Sequence, residues 1–84
     1  MRLTNNQKKL KALVTGSSKR IGATIVKNLH ASGVDIGIHY NSSKTEASDL
    51  SNELNAIRPN STSIFNADIT NTDEANSLIN NFIN

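Results

Sequence analysis

Cysteine is absent from the 84 residues, proline occurs once, and only three side chains are aromatic: Tyr40, Phe65 and Phe82. Without cysteine there are no disulfides, no thiolate nucleophile and no thiolate metal site. The two histidines, His30 and His39, have no carboxylate cluster beside them in sequence, so no zinc site is expected. No apolar run approaches the ~20 residues that a membrane span needs. Residues 1–10 lack the apolar core of a secretory signal, so the expected compartment is the cytoplasm. The length allows one small domain with a modest share of its surface buried.

Acidic residues are missing from the whole first third. Residues 1–34 hold seven basic groups (Arg2, Lys8, Lys9, Lys11, Lys19, Arg20 and Lys27) and no acid, whereas residues 35–84 hold Lys44 and Arg58 against seven acids. Charge divided in this way fits an anionic partner near the first third, or a solvated basic face. Nucleic acid is a poor candidate for that partner, because Tyr40 is the only ring in the first half and no reader motif is present. Asparagine is frequent but dispersed among Ile, Leu and Lys, which is unlike a low-complexity tract.

What is present alternates between two periods. Residues 1–9 form a polar lead-in. Ala12–Thr15 is a short apolar run halted by Gly16, which reads as a strand. From Arg20 the pattern becomes helical, with Ile21, Ile25, Val26 and Leu29 forming a stripe, and Ser32-Gly33 closes that helix. Val34, Ile36, Ile38 and Tyr40 then alternate with Asp35, Gly37 and His39, the period of a second strand. A second stripe (Ala47, Leu50, Leu54, Ile57) runs up to the break at Pro59-Asn60, and Ser63–Ala67 forms a third strand. Asn71 and Glu74 have the spacing of a capping box ahead of Ala75, Leu78, Ile79 and Phe82. His30, near the end of the first helix, is expected to be partly exposed and favoured by the helix dipole. The order β-α-β-α-β-α gives an α/β fold: the N-terminal half of a Rossmann-type, doubly wound parallel sheet, with strand order 3-2-1.

The chemistry is concentrated in the first turn, Thr15-Gly16-Ser17-Ser18-Lys19-Arg20-Ile21-Gly22. A glycine turn that feeds a helix N-terminus presents N–H groups and a positive dipole end to a phosphate, and can also be a plain strand-to-helix connection. Lys19 and Arg20 add two cations there, and Arg carries forked donors that suit phosphate oxygens. The P-loop pattern and the literal G-x-G-x-x-G are both absent. Sheets that bind NAD usually carry an acid at the end of the second strand, about 20 residues past the glycines, to hold the ribose hydroxyl. That place is taken by His39-Tyr40-Asn41-Ser42-Ser43, and no acid occurs between Asp35 and Glu46. A pocket without that carboxylate does not repel a 2′-phosphate, which favours NADP over NAD. Asp68, at the end of the third strand, offers its carboxylate either to an adenine amino group or to the turn into Asn71. His39 stands either against the adenosine or inside the sheet face.

These segments resemble the short-chain dehydrogenase/reductase family, and within it the pteridine-reductase-like group. The likeness runs through Ala12–Gly22, Leu29-His30, His39–Ser43, Leu54–Asn60 and Ala67–Ile69, and covers about residues 10–84. The family's T-G-x-x-x-G-x-G turn maps onto Thr15–Gly22 with Arg20 at its middle glycine, and Ser42 stands where similar reductases often carry Arg. The resemblance implies that Gly16, Ser18, Lys19, Arg20, Ile21 and Gly22 surround the diphosphate and ribose of NADPH. It implies that Asn41, Ser42 and Ser43, with Arg20, surround the 2′-phosphate, that His39 and Tyr40 belong to the same cofactor site, and that Asp68 and Ile69 hold the adenine. It further implies an oxidoreductase that passes hydride from NADPH to a pterin-like substrate, with homo-oligomeric relatives. Another short-chain oxidoreductase, for example of the 3-oxoacyl reductase type, and a stand-alone nucleotide-binding module are the alternatives.

The family's catalytic Tyr-x-x-x-Lys pair sits on a helix, where the lysine lowers the pKa of a proton-donating tyrosine. Here Tyr40 and Lys44 have that spacing but straddle a strand end and a loop. No catalytic residue is therefore expected in these 84, which read as an NADP-binding half that stops before a fourth strand.

Overall fold

The computed structural model describes residues 10–16 and 20–83. The polar lead-in expected over residues 1–9 lies outside them. Three strands and three helices alternate along the chain: β1 (Lys11–Val14), α1 (Arg20–Ala31), β2 (Asp35–Tyr40), α2 (Lys44–Ile57), β3 (Thr62–Asn66) and α3 (Thr72–Ile83). The strands form one parallel sheet with β2 in the centre, so the expected 3-2-1 order holds. The register sets Leu13 beside Gly37 and Ile38 beside Ile64. Strands β1 and β3 each begin one residue earlier than the apolar runs suggest, because pairing with β2 extends the ladder into Lys11 and Thr62.

The period-2 alternation of β2 divides the two faces. Ile36, Ile38 and Tyr40, with Val34 just ahead of them, join Val26 of α1 and Ala47, Leu50 and Leu54 of α2 in the main core. Burying each such aliphatic side chain contributes about 1.5–3 kcal/mol. On the opposite face Phe65 and Phe82 meet edge to face, with ring centroids 6.0 Å apart. Phe82 lies directly over Gly37, where a β-carbon would stand 2.8 Å from the ring.

The helical stripes are only partly core. Val26 is fully buried, but Ile21 is 77 % exposed and Ile25 45 %. The buried line of α1 runs through Ala23, Val26 and His30, which places Ile21 and Ile25 toward its outer side. Ile57 and Ile79 are likewise exposed. Among the described residues no helix is long and apolar enough to cross a membrane.

A Schellman motif ends α1, as Ser32-Gly33 leads one to expect. Gly33 takes φ +95°, its N–H bonds the His30 carbonyl and the Val34 N–H bonds the Leu29 carbonyl. Arg58 holds this corner: Nη1 donates to the His30 carbonyl (2.9 Å), and Nη2 donates to the Val34 carbonyl (2.8 Å) and to Asp35 Oδ1 (3.3 Å). Asn55 sits beside it. Its Oδ1 accepts the backbone N–H groups of Ser61 (3.0 Å) and Thr62 (2.9 Å), and its Nδ2 donates to the Thr62 carbonyl.

His30 corrects the sequence expectation. It is 2 % exposed and bonds Ser61 through Nε2 at 2.6 Å. Position 30 lies one turn beyond Val26 on the buried line, so the side chain points inward, and Ser61 supplies the partner that a buried imidazole requires. Burial first, and then the Arg58 charge, holds its pKa below the ordinary 6.5, with Asp35 pulling weakly the other way. The unfolded chain therefore takes up a proton on this ring at a higher pH than the folded one. The resulting stability is complete above about pH 6.5 and is lost as pH falls toward the folded value. Urea midpoints measured at pH 7.5 and 5.5 are expected to fall less in His30→Gln than in the parent chain; equal falls would contradict this assignment.

Candidate functional site

Parallel pairing brings the carboxyl ends of all three strands to one edge of the sheet. The glycine turn leaves β1 there, Asn41–Ser43 leaves β2 and Ala67–Ile69 leaves β3, with Arg20 starting α1 beyond the turn. In open α/β sheets this edge forms the ligand crevice.

Each strand end is fixed by identifiable bonds. Gly16 takes φ +63°, where a side chain is strained even though the space around it is open. Its N–H donates to His39 Nδ1 at 3.1 Å, and His39 Nε2 meets the Ala67 carbonyl at 2.8 Å. The imidazole thus spans from the turn after β1, past β2, to the end of β3, and is 4 % exposed. The Tyr40 carbonyl accepts the Ala67 N–H (3.1 Å), and Asn66 Nδ2 donates to the Asn41 carbonyl (2.8 Å). These bonds leave the Asn41 and Ser42 side chains exposed at the rim. Ser43 occupies the N-cap of α2, and its hydroxyl makes no capping bond there, which leaves it available as a donor.

Asp68 closes an Asx-turn. Its Oδ1 accepts both the Thr70 hydroxyl (2.6 Å) and the Thr70 N–H (3.0 Å). Those two bonds, the hydroxyl's first, hold its carboxyl below the usual carboxylate value and keep it ionised. The expected capping box is half formed. Asn71 Oδ1 accepts the Glu74 N–H (3.1 Å), but the Glu74 carboxylate reaches further back, to the Asp68 N–H (3.0 Å). The second arm therefore braces the end of β3 rather than the cap residue itself.

Several of the expected site residues come together at this edge: Gly16, Arg20, Ile21, Asn41, Ser42, Ser43, Asp68 and Ile69. Gly22 is half-buried in the first turn of α1. Ser18 and Lys19 lie outside the described residues. Tyr40 is 8 % exposed and belongs to the main core. Asn66 and Thr70, which brace the strand ends, carried no sequence signal beyond being polar residues near a strand terminus, and Glu74 was visible only as the far arm of a capping box.

One concavity lies at the opposite end of the strands, and another reaches this edge at Asn66 and Ala67. The first, of about 180 Å³, is lined by Lys11, Asp35, Phe65 and Phe82, among others. The second, of about 340 Å³, runs between β3 and α3. Among the described residues no group of three or more His, Asp or Glu is placed to hold a metal ion.

Comparison with known proteins agrees with this geometry. A family model described as short chain dehydrogenase matches residues 10–84. Pteridine reductase 1 of Leishmania tarentolae is 48 % identical over 60 residues, which cover 71 % of this chain and 21 % of that protein. Uncharacterized oxidoreductase YmfI of Bacillus subtilis (strain 168) is 32 % identical over 72 residues, covering 86 % of this chain and 30 % of that one. The chain thus spans between a fifth and a third of the length of these relatives.

Proposed function

Because the chain belongs to the short-chain dehydrogenase family, we propose that residues 10–84 are the NADPH-binding half of a reductase of the pteridine reductase type. The observation that carries this reading is the rim after β2. Asn41 and Ser42 are exposed there, the Ser43 hydroxyl is uncommitted to capping, and no carboxylate occurs before Glu46. Such a rim accepts a 2′-phosphate, which an acid would repel. Arg20 adds a forked cation, and the start of α2 adds its dipole together with Lys44.

The remaining residues divide the nucleotide between them. The turn from Gly16 to Gly22, with Ser18, Lys19 and Ile21, meets the diphosphate and the adjoining ribose. Asp68, whose two intramolecular bonds both fall on Oδ1, offers Oδ2 to the adenine amino group, with Ile69 against the ring. NADPH supplies hydride when bound, and a pterin-like C=N bond is the acceptor suggested by the likeness to Pteridine reductase 1. These 84 residues bind and orient the nucleotide; they do not donate the proton.

Calorimetric titration of the chain with 2′,5′-ADP and with 5′-AMP tests the reading. Tighter binding of 2′,5′-ADP is expected, and flat titrations of both at millimolar ligand would overturn the proposal. Arg20→Ala is expected to weaken NADPH about tenfold, the scale of one charge-assisted hydrogen bond, while NADH changes by less than about twofold. Equal losses for the two nucleotides would remove Arg20 from the 2′-phosphate.

A further inference from the structure

We infer that His39 is a positioning residue: a neutral imidazole, protonated on Nε2, that fixes the glycine turn against the end of β3 and withholds the Gly16 N–H from the phosphates. The inference rests on the nucleotide-binding reading above and sharpens which amides of that turn meet the ligand.

The tautomer follows from the partners. A carbonyl oxygen only accepts, so the 2.8 Å contact between Nε2 and the Ala67 carbonyl requires a proton on Nε2. A backbone N–H only donates, so the 3.1 Å contact between Gly16 and Nδ1 requires a lone pair on Nδ1. Only the Nε2–H form of the neutral ring satisfies both. The ring is 4 % exposed, so water does not readily replace either partner.

Two consequences follow for the site. The Gly16 amide already has an acceptor, so it is not among the donors that meet the diphosphate. The same ring carries position between two parts of the nucleotide site. Ala67 precedes Asp68, the residue assigned to adenine, and Gly16 opens the turn assigned to the diphosphate. Their separation is set by the width of one imidazole.

Solution NMR of the ¹⁵N-labelled chain is the direct test. The His39 ring is expected to show the shift pattern of an Nε2–H tautomer, together with a through-bond coupling between Gly16 N and Nδ1. A charged ring or an Nδ1–H tautomer would overturn the inference without any variant.

Two substitutions separate the halves of the bridge. His39→Asn keeps an acceptor near Nδ1 but does not reach Ala67; His39→Gln keeps a donor near Nε2 but gives up the acceptor. His39→Asn is expected to retain slow exchange at the Gly16 amide but, having lost the reach to Ala67, to bind NADPH about threefold more weakly than the parent, whereas His39→Gln loses the slow exchange as well, with affinity down at least tenfold. Equal behaviour of the two, or parental Gly16 exchange in His39→Gln, would refute the positioning role. If the parent chain shows the Nε2–H ring and the coupling but binds neither NADPH nor 2′,5′-ADP, the bridge stands and the nucleotide assignment falls.

Discussion

Asn55→Ala is expected to lower the stability of the folded chain by about 2–4 kcal/mol. The carboxamide oxygen of Asn55 accepts the Ser61 and Thr62 N–H groups, and those residues are 1 % and 8 % exposed. Alanine leaves both donors without an acceptor at the start of β3, where the Ser61 carbonyl also bonds the Ile36 N–H of the central strand. Each buried orphaned donor costs about 1–3 kcal/mol. In a domain of this size each kcal/mol moves the melting temperature by about 4–8 °C, so a fall of at least about 8 °C is expected. Differential scanning calorimetry checks it; a fall of less than about 3 °C would show that water replaces the carboxamide. Asn55→Asp is the informative companion, since it keeps an acceptor toward both amides while losing the Nδ2 donor to the Thr62 carbonyl.

Gly37→Val is expected to cost about 2–3 kcal/mol by overpacking. Two ring carbons of Phe82 would stand 2.8 Å from the new β-carbon, and a Leu13 methyl 3.1 Å from it. Phe82 cannot tilt freely because Phe65 braces it edge to face. Relief therefore requires the last turn of α3 to lift from the sheet. A double-mutant cycle isolates the effect. In a Phe82→Ala background the same substitution is expected to cost under 1 kcal/mol, since the obstructing ring is gone and valine favours a strand. An undiminished cost in that background would place the conflict at Leu13 instead.

The elements were legible because their signals are local and repeated. Alternation from Val34 to Tyr40 marked both faces of β2, and the main core lies on the face that carries Ile36 and Ile38. Gly33 announced the end of α1 through a backbone conformation that few other residues adopt. The rim after β2 was legible for a different reason: a missing carboxylate is visible in a sequence. The polar bracing was not legible, because it depends on which polar residues face inward. His30, Asn55, Arg58 and Ser51, whose hydroxyl lies 2.6 Å from that of Thr62, resemble ordinary surface residues, although Ser51, Asn55 and Arg58 recur at spacings of four and three beside the apolar stripe of α2. That rhythm marks one helix face but does not say that Ser61 and Thr62 await it. Ile21 and Ile25 misled in the opposite direction. They share a helical period with Val26, and only the tertiary contact decides that the buried line passes to one side of them. The half-formed capping box fits the same rule: the spacing found the cap, while the reach of Glu74 depended on where β3 ends.

The central place of β2 bears on how the molecule comes apart. Strand β2 is the shared member of two overlapping units, β1-α1-β2 and β2-α2-β3, and its backbone is bonded along both edges. Neither unit can be removed without uncovering an edge of the other, so the two halves do not behave as separable modules. Fraying starts at the periphery, with α3 and the outer edge of β1, and β2 is the last segment to lose its partners. His39 lies on that strand, so Gly16, although itself exposed, is tethered to the most slowly opening of the described segments.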